Sequence, residues 1–124
     1  MSTQTITQDN IAQAINADGI VLLDFWASWC MPCRMFGPVF EKSSEAHPEI
    51  LHGKVNTDEQ QELGAVFQIR SIPTLVAFRD GIMVYSQPGA LRGADLNSLI
   101  EQIQALDMDA IRAEIAQRDQ PAAQ

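Results

Sequence analysis

The stretch Trp26-Ala27-Ser28-Trp29-Cys30-Met31-Pro32-Cys33 decides the interpretation of this 124-residue chain. It contains both cysteines of the protein, separated by two residues, the second of which is proline. The apolar run 19–25 before it is typical of a buried strand, and the segment 34–46 after it predicts a helix. The cysteines are therefore predicted to lie where a strand passes into the N-terminus of a helix.

This position has a chemical consequence for the two thiols. The backbone N–H groups at a helix N-terminus are unpaired, and the helix dipole places partial positive charge there, so a thiolate is stabilised. A stabilised thiolate is a nucleophile near neutral pH, and two thiols at this spacing can close an intrachain disulfide. The motif therefore indicates thiol–disulfide exchange. A structural disulfide and half of a metal site are the alternatives.

Composition is compatible with one soluble globular domain. The chain is 46% apolar and 19% charged, and its formal net charge of −8 argues against nucleic acid or an anionic membrane as a partner. No stretch approaches the ~18 apolar residues of a membrane span. Residues 1–10 lack a basic region followed by an apolar one, so we expect no secretory signal and a cytoplasmic location. In a reducing compartment, a lone cysteine pair is more often catalytic or metal-binding than structural.

Hydrophobic periodicity predicts an α/β protein with the element order β-α-β-α-β-α-β-β-α. The first three strands alternate with helices and are expected to be parallel, whereas the dipeptide Asp80-Gly81 predicts an antiparallel hairpin at the end. The result is a mixed central sheet of about five strands with helices on both faces. In the helix 59–67, Leu63, Val66 and Phe67 are predicted to face inward. The predicted strands are 3–6, 20–25, 50–56, 74–79 and 82–87, and the predicted helices lie before Gly19 and at 33–46, 59–67 and 93–106.

A wider set of segments resembles the thioredoxin family, in family order and at compatible spacings. They are Asp24-Phe25-Trp26-Ala27, Trp29-Cys30-x-Pro32-Cys33 with Arg34, Pro38, Lys54-Val55-Asn56-x-Asp58, Ile69-Arg70-Ser71-Ile72-Pro73-Thr74, Phe78-x-x-Gly81 and Gly89-Ala90-Leu91. The resemblance implies a thioredoxin domain over residues 1–106. Three departures stand out: Met31 replaces the usual glycine, Pro88 replaces a common β-branched residue, and residues 107–124 lie beyond the usual end of the family.

The C-terminal extension 107–124 is not covered by the resemblance. Met108, Ile111 and Ile115 lie near one helical face, which predicts a short amphipathic helix. We expect the final residues 120–124 to be disordered.

The resemblance implies roles for four residues. Cys30, ahead of the first helical turn, is expected to be the exposed nucleophile, and Cys33, more buried, attacks Cys30 to release the reduced substrate. Asp24 ends an apolar strand, and burial there would raise the pKa of its carboxyl group. The resemblance makes Asp24 the proton acceptor for Cys33 through water, with Lys54 as its neighbour. An exposed aspartate and an ordinary solvated lysine are the alternatives.

The resemblance also implies a substrate surface around Cys30. It predicts a cis Ile72–Pro73 peptide bond opposite the cysteines, beside which an extended substrate segment pairs with the backbone. Proline at position 73 also keeps a third metal ligand away from the cysteines. The residues assigned to substrate binding are Trp29, Met31, Pro32, Ile72, Pro73, Gly89 and Ala90, and Trp29, Ile72, Gly89 and Ala90 are expected to form a shallow apolar patch.

The function implied is a monomeric general protein disulfide reductase without a bound metal or cofactor. Its substrates are disulfide-containing proteins, and its own disulfide is reduced by a flavin- and NADPH-dependent thioredoxin reductase. Two alternatives remain open from the sequence. One is a more oxidising thiol oxidase or isomerase, suggested by Met31. The other is a binding or chaperone-like protein in which the fold matters more than the thiols.

Overall fold

The computed structural model describes residues 2–119, which form a five-stranded sheet with the strand order β1-β3-β2-β4-β5. The strands are Thr3–Thr5 (β1), Ile20–Trp26 (β2), Leu51–Asn56 (β3), Thr74–Arg79 (β4) and Ile82–Pro88 (β5). The helices are Ile11–Ile15 (α1), Met31–Ala46 (α2), Gln61–Val66 (α3), Gly93–Gln104 (α4) and Met108–Arg118 (α5).

The strand directions agree with the sequence prediction of a mixed sheet. Strand β3 pairs in parallel with both β1 and β2, and β4 pairs antiparallel with β2 and β5. The hairpin between β4 and β5 turns at Asp80 and Gly81, whose φ angles are 53° and 82°. Two successive positive φ values match the right-handed twist of the flanking strands. The α/β prediction with helices on both faces is therefore confirmed.

The core lies on both faces of the sheet, and the central strand β2 contributes to each. Val21, Leu23 and Phe25 face α1 and α3, whereas Leu22 faces α2 and α4. Since side chains alternate along a strand, Asp24 lies on the same face as Leu22, beneath α2. A carboxylate is thus placed in an apolar layer.

Gly53 allows β3 to pass close to its neighbours in this core. A Cβ atom at this position would lie 2.5 Å from Cγ1 of Ile6 and 2.9 Å from Cδ2 of Leu23. Real Cβ atoms do not approach other heavy atoms so closely, so a side chain at position 53 would push β1 and β2 away from β3.

Arg79 fixes the end of α4 and the start of the C-terminal segment. Its Nη1 donates hydrogen bonds to the backbone carbonyls of Ile103 at 2.8 Å, Gln104 at 3.2 Å and Leu106 at 2.9 Å. These bonds satisfy carbonyls that a helix C-terminus leaves without partners. Helix α4 consequently ends at Gln104, two residues before the predicted end.

Helix α5 follows a short turn, and its first residue, Met108, is the one that is buried. The Asp107 carboxylate accepts a hydrogen bond from the backbone N–H of Ala110 at 3.1 Å, which caps the helix. Met108 is buried, and Ile111 and Ile115 are half-buried. The predicted disordered end, 120–124, lies outside the described residues.

Two local predictions need correction. Helix α2 begins at Met31 rather than near Cys33, because Pro32 suits the first helical turn, where its missing N–H costs nothing. The prediction that Val66 faces inward is wrong, since it is 72% exposed while Leu63 is buried and Phe67 half-buried. Leu63 and Phe67, the C-cap residue that follows this short helix, are four residues apart and point to the same inward side, whereas Val66, the last helical residue, points away.

Candidate active site

Cys30 is the N-cap residue of α2. Its backbone is extended, with φ −88° and ψ 113°, and its Sγ accepts a hydrogen bond from the backbone N–H of Cys33 at 3.2 Å. The two cysteines are joined by a disulfide with their Cα atoms 5.2 Å apart. Because the Sγ of Cys30 meets the positive end of the helix, the same contacts stabilise its thiolate when the disulfide is reduced.

The prediction that Cys33 is more buried than Cys30 is wrong. Cys30 is 4% exposed and Cys33 is 5% exposed, so Cys33 is not the more buried residue. The openings that they line do differ. Cys30 lines a surface cleft of about 680 Å³, whereas Cys33 lines a separate cavity of about 260 Å³ on the other side of the motif. The larger cleft gives a bulky partner a route to Cys30.

The cleft beside Cys30 is framed by the active-site motif, helix α3 and the segment before Pro73. Its lining residues are Trp29, Cys30, Met31, Pro32, Thr57, Gln61, Gly64, Ala65, Ile69, Arg70, Ser71 and Ile72. Trp29 is 70% exposed, and its Nε1–H donates to the Asp58 carboxylate at 3.0 Å, which fixes the orientation of the ring. Met31 is 63% exposed. A polarisable, adaptable side chain and an exposed aromatic ring are thus available at the rim.

The loop before β4 lies directly against the disulfide. The Ile72–Pro73 peptide bond is cis, and the carbonyl oxygen of Ile72 lies 3.6 Å from the Sγ of Cys30. The backbone N–H of Gly89 donates to the carbonyl of Pro73 at 2.8 Å. Gly89 and the exposed Ala90 are therefore near the loop, but neither is among the residues that line the cleft.

Asp24 is buried beneath the motif without a hydrogen-bond partner among the described residues. It is 1% exposed, and neither carboxylate oxygen is bonded. Burial raises the pKa of the Asp24 carboxyl from 3.8 to about 7, and the positive charge of Lys54 opposes part of this rise. A group with this pKa can accept or release a proton at neutral pH.

Lys54 links Asp24 to the cavity that Cys33 lines. It is the register partner of Asp24 in the parallel β2–β3 pair, so the two side chains project from the same face of the sheet. Its Nζ lies 4.9 Å from the centre of the Trp26 ring, a cation–π contact. Lys54 and Cys33 both line the cavity of about 260 Å³, so solvent can reach the two groups together.

Neither a metal-binding cluster nor a membrane span is found in the described part of the chain. Residues 2–119 contain no group of three or more His, Cys, Asp or Glu side chains placed to hold a metal ion. None of their helices combines the length and apolar character that crossing a bilayer requires.

Comparison with known proteins shows the family to which this chain belongs. The family model described as Thioredoxin matches residues 2–103. The chain belongs to the thioredoxin family. A Streptomyces coelicolor relative, whose name places it among the thioredoxins, is 47% identical over 117 residues, which cover 94% of this chain and 87% of the relative. That match extends well into residues 107–124, so this thioredoxin shares part of its C-terminal segment with at least one relative.

Two solved thioredoxin structures have the same fold. The Malassezia sympodialis thioredoxin is 39% identical and superposes with a TM-score of 0.75, covering 84% of this chain and 92% of that one. A mutant form of the thioredoxin from Halobacterium salinarum is 33% identical, with a TM-score of 0.78 and coverage of 85% and 93%. Thioredoxins are thiol–disulfide oxidoreductases that carry no cofactor, and the Cys30–Cys33 disulfide of this chain is the redox centre that such chemistry requires.

Sequence reasoning missed the wall that α3 contributes to the cleft of this thioredoxin. Gln61, Gly64 and Ala65 line it. Their spacing of three and four residues places them on one helical face, turned away from the buried Leu63. The adjacent small residues Gly64 and Ala65, on the face opposite the apolar Leu63, were the available signal for a contact surface.

A buried histidine of β3 packs against α2. His52 is buried at 1% exposure, and its Nε2 lies 2.9 Å from the Oγ of Ser43. Its Nδ1 lies 3.0 Å from the carbonyl oxygen of Ile50, so both ring nitrogens have partners. Burial lowers the pKa of His52, which keeps the imidazole neutral in the core. Since both ring nitrogens have partners in the core, we assign His52 a structural role.

Proposed function

We propose that this thioredoxin is a general protein disulfide reductase in which Cys30 is the nucleophile. The observation that carries the proposal is the position of Cys30. Its Sγ lies at the N-terminus of α2 and on an open cleft of about 680 Å³, with the Ile72 carbonyl 3.6 Å away. A sulfur activated by a helix end and reachable by a bulky partner suits attack on disulfides in proteins.

The exchange proceeds in two steps with Cys30 and Cys33 reduced at the start. The Cys30 thiolate attacks one sulfur of the substrate disulfide, which forms a mixed disulfide and releases the other substrate sulfur as a thiolate. Cys33 then loses its proton and attacks the Sγ of Cys30. This second step releases the remaining substrate thiolate and forms the Cys30–Cys33 disulfide. Two electrons pass to the substrate in each cycle.

Asp24 accepts the proton of Cys33 in this proposal, through solvent in the cavity beside Lys54. Its pKa of about 7 is suited to proton transfer at neutral pH. Lys54 keeps the charged form of Asp24 accessible, since its positive charge opposes the effect of burial. Asp24 and Lys54 are therefore assigned to proton handling rather than to substrate binding.

The substrate surface surrounds Cys30. An extended segment of the substrate pairs with the backbone beside Ile72 and Pro73, by strand addition. Trp29, Met31 and Pro32 contact it from the motif side. Gly89 and Ala90 contact it beyond Pro73, to whose carbonyl the backbone of Gly89 is hydrogen-bonded.

The disulfide formed in each cycle needs an external reductant. We propose a flavin- and NADPH-dependent thioredoxin reductase as the partner, and a monomer as the working form. A cytoplasmic location suits the cysteine content, because both cysteines belong to the redox motif and none is left for structural disulfides.

The reduction potential of the Cys30–Cys33 pair tests the proposal against an oxidase or isomerase. In equilibrium with a glutathione buffer, we expect a potential more negative than about −230 mV, with catalysed reduction of a disulfide-bonded protein such as insulin. A potential above about −150 mV would indicate an oxidising role. Absence of any catalysed reduction by the reduced protein would indicate a binding protein.

The C-terminal segment is expected to be dispensable for exchange. A variant ending at Leu106 should reduce insulin within about twofold of the full chain, a change under about 0.5 kcal/mol in barrier. It should melt earlier, because burial of Met108 is lost, although the entropy of ordering α5 offsets much of that gain. Full-length Met108→Ala is the matched control for packing. Loss of reduction in a folded truncated variant would assign residues 107–124 to the site or to recruitment of the reductase.

A further inference from the structure

The cleft beside Cys30 contains a cation that the exchange reaction does not use. Arg70 is the one charged residue among the described residues that line this cleft. The other polar side chains of the lining, those of Thr57, Gln61 and Ser71, are neutral. The Asp58 carboxylate, which accepts a hydrogen bond from Nε1–H of Trp29, lies next to this rim but is not among the lining residues, so the Arg70 guanidinium is the charge that the cleft itself presents to a substrate.

The Arg70 guanidinium has no hydrogen-bond or ion-pair partner among the described residues, whereas three other arginines of the chain do. Arg79 binds the carbonyls that end α4, Arg92 pairs with Asp95 at 3.2 Å, and Arg112 pairs with Asp109 at 3.1 Å. Within residues 2–119, no carboxylate lies within ion-pair distance of Arg70, whose side chain is exposed. In a chain of net charge −8, a cation left unpaired at a cleft is available to a ligand.

The position of Arg70 matches the expected path of a substrate. It precedes Ile72, whose carbonyl lies 3.6 Å from the Sγ of Cys30, by two residues. Two residues of chain span at most about 7 Å. Consider a substrate segment that has its cysteine at Cys30 and runs along residues 70–73. The substrate side chain about two residues from that cysteine then comes close to the Arg70 guanidinium. Arginine presents a planar fork of donors that matches a carboxylate.

We propose that Arg70 is a specificity-determining residue that recognises a carboxylate flanking the substrate cysteine, so that acidic disulfide segments are preferred. This inference rests on the proposed reductase function. The contact would be solvent-exposed, so the preference is expected to be about two- to fivefold, as for an exposed ion pair. It opposes the repulsion between an acidic substrate and the net negative protein, and salt should weaken it.

Matched disulfide peptides test this inference. Two sets of peptides carry Asp or Asn at the second position on either side of the cysteine and are otherwise identical. The full-length reduced protein should reduce the best Asp peptide about two- to fivefold faster than its Asn counterpart at about 50 mM salt, and the ratio should approach one at about 0.5 M. Arg70→Gln should lower the ratio to one or slightly below at low salt, because the net negative protein then repels the Asp peptide unopposed, and Arg70→Glu should reverse the preference.

Arg118→Gln is the control, because it removes the same charge from α5 and should leave the ratio unchanged. An Asp-to-Asn ratio near one in the unmodified protein would overturn the inference while leaving the reductase function in place. A ratio that stays the same in Arg70→Gln would also overturn the inference. If Arg118→Gln lowered the ratio as much as Arg70→Gln does, the preference would come from the net charge of the whole protein rather than from Arg70. Failure to reduce any of the peptides would overturn both the inference and the proposed function.

Discussion

A Cys33→Ser variant is expected to accumulate as a covalent mixed disulfide with its substrates. Cys30 remains able to attack, because its Sγ still lies at the N-terminus of α2 and on the open cleft. The second step fails, because a serine hydroxyl does not displace a thiolate at neutral pH as a cysteine thiolate does. Non-reducing electrophoresis followed by mass analysis would detect the complexes, and a reductant would dissolve them.

Cys30→Ser is the matched variant for this prediction. It should form no such complexes, and catalysed reduction should fall by at least about a thousandfold, the scale on which loss of a catalytic nucleophile acts. Both variants lack the disulfide equally, so a difference between them reports the role of each sulfur rather than the loss of a crosslink. Covalent complexes formed by Cys30→Ser instead would reverse the assignment of nucleophile and resolving cysteine.

The elements that carry the motif could be predicted from local patterns. Strand β4 spans Thr74–Arg79 as predicted, because Pro73 bounds it on one side and the Asp80-Gly81 turn on the other. Strand β2 was recognisable because a strand covered on both faces is nearly continuous in apolar residues. Position before a helix was enough to place Cys30 at the N-terminus of α2.

The remaining features depend on contacts between distant segments. Cys30 and Cys33 are equally buried in one cluster with Ala27, and Ile72, which packs against this cluster, comes from a segment about 40 residues away that no local pattern connects to the motif. Arg79 reaches carbonyls 24 to 27 residues away, so its role at the end of α4 has no local signature either. The cis bond before Pro73 was expected from the resemblance to a family alone, since most X–Pro bonds are trans.

The burial of Asp24 makes the stability of the oxidised protein depend on pH. Below pH 3.8 the carboxyl is protonated in both the folded and the unfolded chain, and it imposes no penalty. Between 3.8 and about 7 the folded chain holds a proton that the unfolded chain releases, so the contribution of this group to the free energy of unfolding falls as pH rises. The loss is about 1.4 kcal/mol per pH unit and is complete above the folded pKa. Over the whole window it amounts to at most about 4 kcal/mol.

Asp24→Asn is therefore expected to raise the free energy of unfolding at pH 8 by up to about 4 kcal/mol, because asparagine carries no charge to bury. The gain should shrink toward zero as pH falls to 4. Urea unfolding of the oxidised variant and the unmodified protein across this range measures the gain, with the exposed Asp18→Asn as the control expected to show no such trend.

The same Asp24 variant should slow turnover at pH 7 by about a hundredfold, the lower range of general acid–base effects, because Cys33 loses its proton acceptor. A gain in stability without slower turnover would leave Asp24 a buried residue with no part in the exchange. An asparagine variant that is less stable at pH 8 would contradict the assignment of a raised pKa.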